Sequence, residues 1–211
     1  DHLKNDGKIH CNYNQAITTT GRLSSSAPNL QNITSKGELG KDIKKMFIPS
    51  ENGQYLLQAD YSQIELRMAA ILANETVMID AYKNNKDIHV ITAATVLNKK
   101  IEDVTKEDRQ KAKAVAFGFL YGGSAKGFVV YAKQSYNVEF TLEQAEQVRN
   151  KFFKLYPALP AWYEKIWKDC RKNNYVESLF GRKRIIENIN SHNKYDKGSA
   201  ERRAINHTDQ G

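Results

Sequence analysis

Four side chains spaced four residues apart could together bind a ligand that carries both phosphate and a ring. Arg109, Lys113, Phe117 and Tyr121 lie along one face if this segment is an α-helix. A guanidinium binds phosphate oxygens as a fork and an ammonium binds them as a point charge, while the ring of Phe117 suits stacking on a base or sugar. The alternative is an amphipathic helix with a basic outer face, which would leave Phe117 and Tyr121 in water.

The segment DYSQIELR at 60–67 has carboxylates that could bind a metal ion. Asp60 ends the run YLLQAD, which predicts a short buried strand, and a helix is predicted from Gln63. A carboxylate at such a junction can hold a hard divalent cation, and its burial is costly unless it is paired or metal-bound. Alternatively, Asp60 only caps the following helix, and Glu65 is a solvated surface acid.

A third polar group lies in TGRLSSSAPNLQN at 20–32. Hydroxyls, amides and Arg22 on a loop can contact a sugar-phosphate backbone or acceptors in a minor groove. Most stretches of this composition are plain surface loops, so this group alone does not distinguish the two interpretations.

The elements that must position these groups are mostly helical, and the pattern predicts an α+β fold. Loops and short strands are expected over 1–54, and the helix from Gln63 should bury Ile64, Met68, Ile71 and Leu72. Further helices are predicted at about 75–84, 88–98, 105–121 and 159–173. Another is predicted to begin at the capping box at 141–144 and to end before 157, and the last to begin at about 198. A β-hairpin is predicted at 176–186 around Phe180-Gly181-Arg182.

Composition narrows the possible classes of protein. The 211 residues include 32 Lys+Arg and 24 Asp+Glu, a net charge of +8, and nine basic against four acidic residues lie between 171 and 203. The clustering favours a nucleic-acid partner over a merely Lys-rich surface.

A hydrophobic content of 40% argues against disorder, and no apolar run reaches the about 20 residues of a membrane span. Cys11 and Cys170 belong to no paired motif and fit a reducing compartment. The absence of an initial Met indicates a piece of a longer chain.

Taken together, these motifs resemble those of the family A DNA polymerases, the family of bacterial DNA polymerase I. The resemblance rests on DYSQIELR at 60–67, R-x3-K-x3-F-G-x2-Y-G at 109–122 and TGRLSSSAPNLQNI at 20–33, in matching order and separation. Asp87-Ile88-His89 and Phe180-Gly181-Arg182 are further similarities, and the resemblance extends from about Ile9 to Gly211. It implies the fingers and part of the palm of a right-hand polymerase: partial palm at 1–75, fingers at 76–199 and the start of a return to the palm at 200–211.

The resemblance also implies the function of individual residues. Asp60 and the backbone carbonyl of Tyr61 would hold two Mg²⁺ ions together with a second aspartate, and Glu65 would exclude a ribose 2′-hydroxyl. Catalysis would involve Asp60, Arg109 and Lys113. The residues expected to bind the deoxynucleoside triphosphate (dNTP) are Tyr61, Gln63, Glu65, His89, Arg109, Lys113, Phe117 and Tyr121. Contacts to primer-template DNA are expected from Arg22, Asn29, Asn32, Arg202 and Gln210.

Two departures from the family pattern are visible. The third family motif, a His-Asp-Glu that supplies the second metal-binding aspartate, does not occur before Gly211, so we expect this segment to be inactive alone and to need the thumb and the rest of the palm. The family usually has an apolar residue and a proline between Asn206 and Gln210, whereas Asp209 adds a negative charge there.

The activity implied is template-directed transfer of deoxynucleotides to a primer 3′-hydroxyl with release of pyrophosphate, in the cytoplasm and with no membrane partner. The alternatives are a non-catalytic nucleic-acid-binding pseudo-polymerase and, disfavoured by Glu65 and Phe117, a single-subunit RNA polymerase.

Overall fold

The computed structural model describes residues 2–34 and 37–211, and the chain divides into two compact units, 1–62 and 63–211. The chain is α+β and mostly helical, as the sequence predicts. None of the helices in the described ranges is both long and apolar enough to cross a membrane.

The first unit contains a small hairpin, a 3-10 turn and one helix. Strands β1 (Asn12–Asn14) and β2 (Ser24–Ser26) pair antiparallel, with Tyr13 opposite Ser25. The 3-10 helix Leu30–Asn32 follows, and helix α1 spans Gly37–Lys45. The sequence prediction missed α1, in which the two glycines Gly37 and Gly40 weaken the local helix signal.

The predicted buried strand at 55–60 is wrong. The segment is irregular and exposed along its whole length, with Tyr55 and Leu57 each 94% exposed. A strand needs a partner for its backbone N–H and C=O groups, and none of the described residues pairs with this segment. Asp60 is consequently an exposed carboxylate rather than one at the end of a buried strand.

The second unit consists of eight α-helices, a short 3-10 helix at Ile101–Asp103 and a two-stranded hairpin. The helices are α2 (Ile64–Leu72), α3 (Thr76–Lys83), α4 (Ile88–Leu97), α5 (Lys106–Phe119), α6 (Ala125–Tyr136), α7 (Leu142–Leu155), α8 (Ala158–Asn173) and α9 (Lys194–Gln210). Strands β3 (Tyr175–Glu177) and β4 (Lys183–Ile185) pair antiparallel, which confirms the predicted hairpin. The predicted helices are all present, whereas α6 was not predicted.

The predicted buried face of α2 is also wrong. Leu66, Ala69 and Ala70 are buried, while Ile64 and Ile71 are 45% and 63% exposed. The small alanines permit close packing of neighbouring helices, and this tertiary preference overrides the size of the isoleucine side chains.

Helix α5 lies in the middle of the helical core and packs against α4, α6 and α7. The ring of Phe119 lies 4.5 Å from that of Phe128 and 6.0 Å from that of Phe152, centroid to centroid. A Cβ at Gly118 would lie 2.5 Å from the Phe128 ring, so only glycine allows α6 to approach this closely. This packing holds in place the helix that carries three of the four spaced side chains, with Tyr121 just beyond its end.

The buried carboxylate of Glu75 joins two helix N-termini. It is 1% exposed, and it accepts hydrogen bonds from the backbone N–H of Val77 at 3.1 Å and of Ala158 at 2.7 Å. It therefore caps both α3 and α8. We expect Glu75→Ala to lower the free energy of unfolding by about 2 kcal/mol, because two partly buried N–H groups lose their acceptor.

Chemical denaturation of Glu75→Ala measures this loss, with Glu102→Ala at an exposed position as the control. A loss in Glu75→Ala no greater than in the control would contradict the double-cap assignment.

Candidate functional site

The start of helix α5 is fixed by a capping box and an ion pair. The Thr105 hydroxyl accepts from the backbone N–H of Asp108, and the Asp108 carboxylate accepts from the backbone N–H of Thr105 at 3.0 Å and from Lys99 Nζ at 2.6 Å. The hydrogen bonds from Lys99 and Thr105 lower the pKa of Asp108 to about 2. This anchor sets the position of the residues that follow on α5.

Arg109 is oriented by an acid on the neighbouring helix. Its Nε donates to Asp87 Oδ2 at 2.7 Å, and the other oxygen of Asp87 caps α4 by accepting from the backbone N–H of His89 at 2.9 Å. Burial alone would raise the pKa of Asp87, but the hydrogen bonds from Arg109 and His89 lower it. Asp87 therefore fixes the guanidinium to the N-terminus of α4.

His89 and Phe117 complete this face. Their ring centroids lie 6.3 Å apart, and His89 is 1% exposed while Lys113 and Phe117 are half-buried. Burial lowers the pKa of His89 to about 4, with the nearby charges of Arg109 and Lys113 acting in the same direction and Asp87 opposing them. His89 is neutral at neutral pH. Three of the four predicted α5 residues thus gather beside α4.

The neutral His89 makes stability fall with acid. Between pH 6.5 and 4 the unfolded chain binds a proton at this histidine that the folded chain does not, so the stabilisation is complete above pH 6.5 and is lost as the pH falls towards 4. We expect the free energy of unfolding to decrease by about 2 kcal/mol more between pH 7.5 and 5 in the wild type than in His89→Gln.

Urea denaturation at several pH values measures this difference, and His192→Gln at an exposed position is the control. If the free energy of unfolding changes equally with pH in the wild type and in His89→Gln, His89 is not held neutral in the folded protein.

Tyr121, just beyond the end of α5, connects two other helices. Its hydroxyl lies 2.8 Å from Glu65 Oε2 on α2 and 3.2 Å from Asp209 Oδ2 on α9, and it accepts from Gln210 Nε2 at 2.8 Å. Burial, followed by the charges of Asp209 and Glu65, raises the pKa of Tyr121, so the phenol keeps its proton. Among the predicted site residues, Glu65 and Gln210 each contact Tyr121 directly.

Gln63 is held at the start of α2 with a left-handed backbone, φ 57°. Its side-chain oxygen accepts from the Tyr82 hydroxyl at 3.1 Å, and the Arg67 guanidinium lies 4.2 Å from the centre of the Tyr82 ring. Burial raises the pKa of Tyr82 to about 12. Gln63 is thereby fixed on the same helix as Glu65, two residues away.

Arg202 on α9 lines a cleft of about 720 Å³ in the second unit, and the acids Glu146 and Glu201 line it as well. The cleft also exposes Arg149, Lys194 and the aromatic residues Trp167 and Tyr195. The cleft thus combines three cations, two acids and two aromatic rings.

In the first unit, the predicted metal and DNA residues are all exposed: Arg22, Asn29, Asn32, Asp60 and Tyr61. Asn29 also caps the 3-10 helix by accepting from the backbone N–H of Gln31 at 3.0 Å. In the described ranges, no group of three or more His, Cys, Asp or Glu side chains is arranged to hold a metal ion.

Sequence reasoning missed two acids of this site. Asp87 was noted only as part of a motif, although its place before Ile88 and His89 is a helix-cap signal that could have identified it. Asp209 was recognised as an added charge, but its contact with Tyr121 spans 88 residues and has no local signal.

Comparison with known proteins gives a consistent result. Residues 2–211 match the sequence profile of DNA polymerase family A. The chain is 44% identical over 97% of its length to DNA polymerase I of Caldicellulosiruptor bescii, and 43% identical over 87% of its length to that of Aquifex aeolicus. It spans 23% and 31% of those proteins. A structure of the POL domain of Pol1 from M. smegmatis, in complex with DNA primer-template and dNTP, superposes with a TM-score of 0.89 at 34% identity and covers all of this chain and 36% of that one.

Proposed function

Because this chain belongs to DNA polymerase family A, we propose that it is the nucleotide-binding part of an enzyme that adds deoxynucleotides to a primer 3′-hydroxyl on a DNA template. It would correspond to the fingers and part of the palm. The relatives are bacterial, and we propose that the protein acts in the bacterial cytoplasm in replication or repair.

The observation that carries the proposal is the shared face of α4 and α5. Arg109 is oriented by Asp87, and Lys113 and Phe117 follow at one-turn intervals with the ring of Phe117 beside His89. Phosphoryl transfer depends on positioning and on neutralising charge, which Arg109 and Lys113 supply to a bound triphosphate. His89 is neutral, so it acts through hydrogen bonding rather than charge. Phe117 stacks on the incoming nucleotide.

Selection of the sugar is assigned to Glu65. The Tyr121 hydroxyl holds its carboxylate at 2.8 Å, which keeps the acid on the same side of α2 as Tyr121. A carboxylate fixed there would collide with a ribose 2′-hydroxyl, whereas a deoxyribose fits because it lacks that hydroxyl. Gln63, fixed by Tyr82, is proposed to border the same nucleotide.

Magnesium fits part of the donor set. The carboxylate of Asp60 and the backbone carbonyl of Tyr61 are hard oxygen ligands of the kind that Mg²⁺ prefers. They lie on an exposed segment, which leaves room for phosphates and water to complete the coordination of the ion. When bound, the ion neutralises charge on phosphate oxygens. A second ion requires a carboxylate beyond these two donors, and we propose that another segment of the polymerase supplies it.

DNA and the remaining polymerase segments are the proposed partners. Arg22, Asn29 and Asn32 are exposed, as is Arg202 in the second unit, and these residues together with Gln210 are proposed to contact primer-template DNA. The exposed apolar side chains of Tyr55 and Leu57 support a further polymerase segment covering 55–60.

Nucleotide binding without chemistry tests the proposal. The full-length polymerase is bound to a primer that ends in a dideoxynucleotide, so that no transfer can occur, and labelled dNTPs are titrated in. We expect the dNTP complementary to the template base to bind at least about tenfold more tightly than the other three. Equal affinity for all four, or no binding, would contradict template-directed selection.

The 211 residues expressed alone are expected not to extend a primer, because one metal-binding aspartate cannot hold the two ions of the proposed mechanism. A primer-extension assay with Mg²⁺ and all four dNTPs measures this. Extension by the isolated segment would overturn the requirement for a second carboxylate.

A further inference from the structure

The hydroxyl of Tyr121 is shared by two acids, and only one of them can receive its hydrogen fully. Glu65 Oε2 lies at 2.8 Å and Asp209 Oδ2 at 3.2 Å, while Gln210 Nε2 donates to the same oxygen at 2.8 Å. A phenol has one hydrogen to donate, and its lone pairs can accept from Gln210. Glu65 and Asp209 therefore compete for the single hydrogen.

The placement of Asp209 is unfavourable for stability. The Asp209 carboxylate lies against the same Tyr121 hydroxyl as the Glu65 carboxylate, so two like charges are close together, and the residue is only 8% exposed. Burial of a carboxylate adds a further cost. A nearly buried acid that shares one hydroxyl with a second carboxylate is a feature that packing alone does not favour.

The negative charge of Asp209 also acts on its neighbours. After burial, it is the largest cause that raises the pKa of Tyr121 and of Tyr163, so both phenols remain protonated. The Tyr163 hydroxyl donates to the backbone carbonyl of Leu120 at 2.6 Å. Tyr121 is thus the phenol through which Asp209 reaches Glu65.

We propose that Asp209 is a specificity-determining positioning residue that weakens the hold of Tyr121 on Glu65 and so relaxes selection against ribonucleotides. Two effects act in the same direction. Asp209 takes part of the hydrogen bond that Tyr121 would otherwise give to Glu65, and the like charges of the two carboxylates repel each other. The proposal rests on the proposed function, in which Glu65 excludes the ribose 2′-hydroxyl.

Asp209→Asn separates charge from shape. Asparagine keeps the size of the side chain and an acceptor oxygen but removes the negative charge, so the ionised Glu65 becomes the stronger acceptor of the Tyr121 hydrogen. The ratio of kcat/KM for dATP to that for ATP, opposite a template thymine, measures sugar selection in the full-length polymerase. We expect Asp209→Asn to raise this ratio about fivefold, the size of the coupling between side chains that share one hydrogen bond.

The pathway through the phenol is tested by a double-mutant cycle. In a Tyr121→Phe background, Asp209→Asn should change the dATP:ATP ratio clearly less than it does with Tyr121 present, because the shared hydroxyl is absent and only the direct repulsion between the carboxylates remains. Asp169→Asn, at an exposed position on α8, is the matched control and should not change the ratio. Thermal unfolding of each variant checks that all are folded.

An unchanged or lower ratio in Asp209→Asn overturns the proposal, and so does a full fivefold effect in the Tyr121→Phe background. A Glu65→Ala variant with undiminished sugar selection would overturn the assigned role of Glu65 and with it this proposal. Failure of the wild-type enzyme to incorporate dATP would instead contradict the proposed function, so the two failures are distinguishable.

Discussion

Asp60→Ala in the full-length polymerase is expected to lower single-turnover dNTP incorporation by about a thousandfold or more, since loss of a metal ligand removes several kcal/mol of charge stabilisation. DNA affinity should change little, because the substitution removes a negative charge and no contact that we assign to DNA. Asp60 is exposed, so folding should also be preserved.

Rapid-quench measurement of one nucleotide addition, with a parallel DNA-binding titration, checks both parts. Asp42→Ala removes another exposed carboxylate of the first unit and serves as the control, with incorporation expected within about twofold of wild type. Activity of Asp60→Ala close to that of the control would show that the metal assignment is wrong.

Lys113→Ala is expected to raise the dNTP KM by about 10- to 100-fold, because one charge-assisted hydrogen bond to a phosphate is lost. The substitution should not disturb α5, since alanine is the strongest helix former and the helix is anchored at Thr105 and Asp108. Lys106→Ala, in the exposed first turn of the same helix, removes the same charge away from His89 and Phe117.

Steady-state kinetics at two salt concentrations measure the effect. Added salt should raise the dNTP KM of the wild type and of Lys106→Ala, and should raise that of Lys113→Ala less. If Lys106→Ala and Lys113→Ala change the dNTP KM alike, Lys113 makes no specific contact with the triphosphate.

Local signals in the sequence were sufficient for most of the helices. The capping boxes at Thr105 and Thr141 fix where α5 and α7 begin, and Pro157 limits the end of α7. The spacing of Arg109, Lys113 and Phe117 correctly placed these residues on one face. These features depend on neighbours within a few residues, so a single sequence contains them.

Features that depend on distant partners were missed or wrongly predicted. The run at 55–60 has a strand-like composition, but a strand forms only when another strand pairs with it, and none of the described residues does so. On α2, close packing selected Ala69 and Ala70 over Ile64 and Ile71. The contact of Tyr121 with Glu65 spans 56 residues and was reachable only through the fold.

The most direct test of the account is single-nucleotide incorporation by the full-length polymerase on four primer-templates that differ only in the templating base. Each template is supplied with each dNTP separately, together with Mg²⁺. We predict efficient addition of the complementary dNTP on every template and little addition in the other twelve combinations of template and dNTP. DNA binding without addition of any nucleotide would identify a non-catalytic nucleic-acid-binding protein and contradict the assignment of α5 as a triphosphate-binding helix.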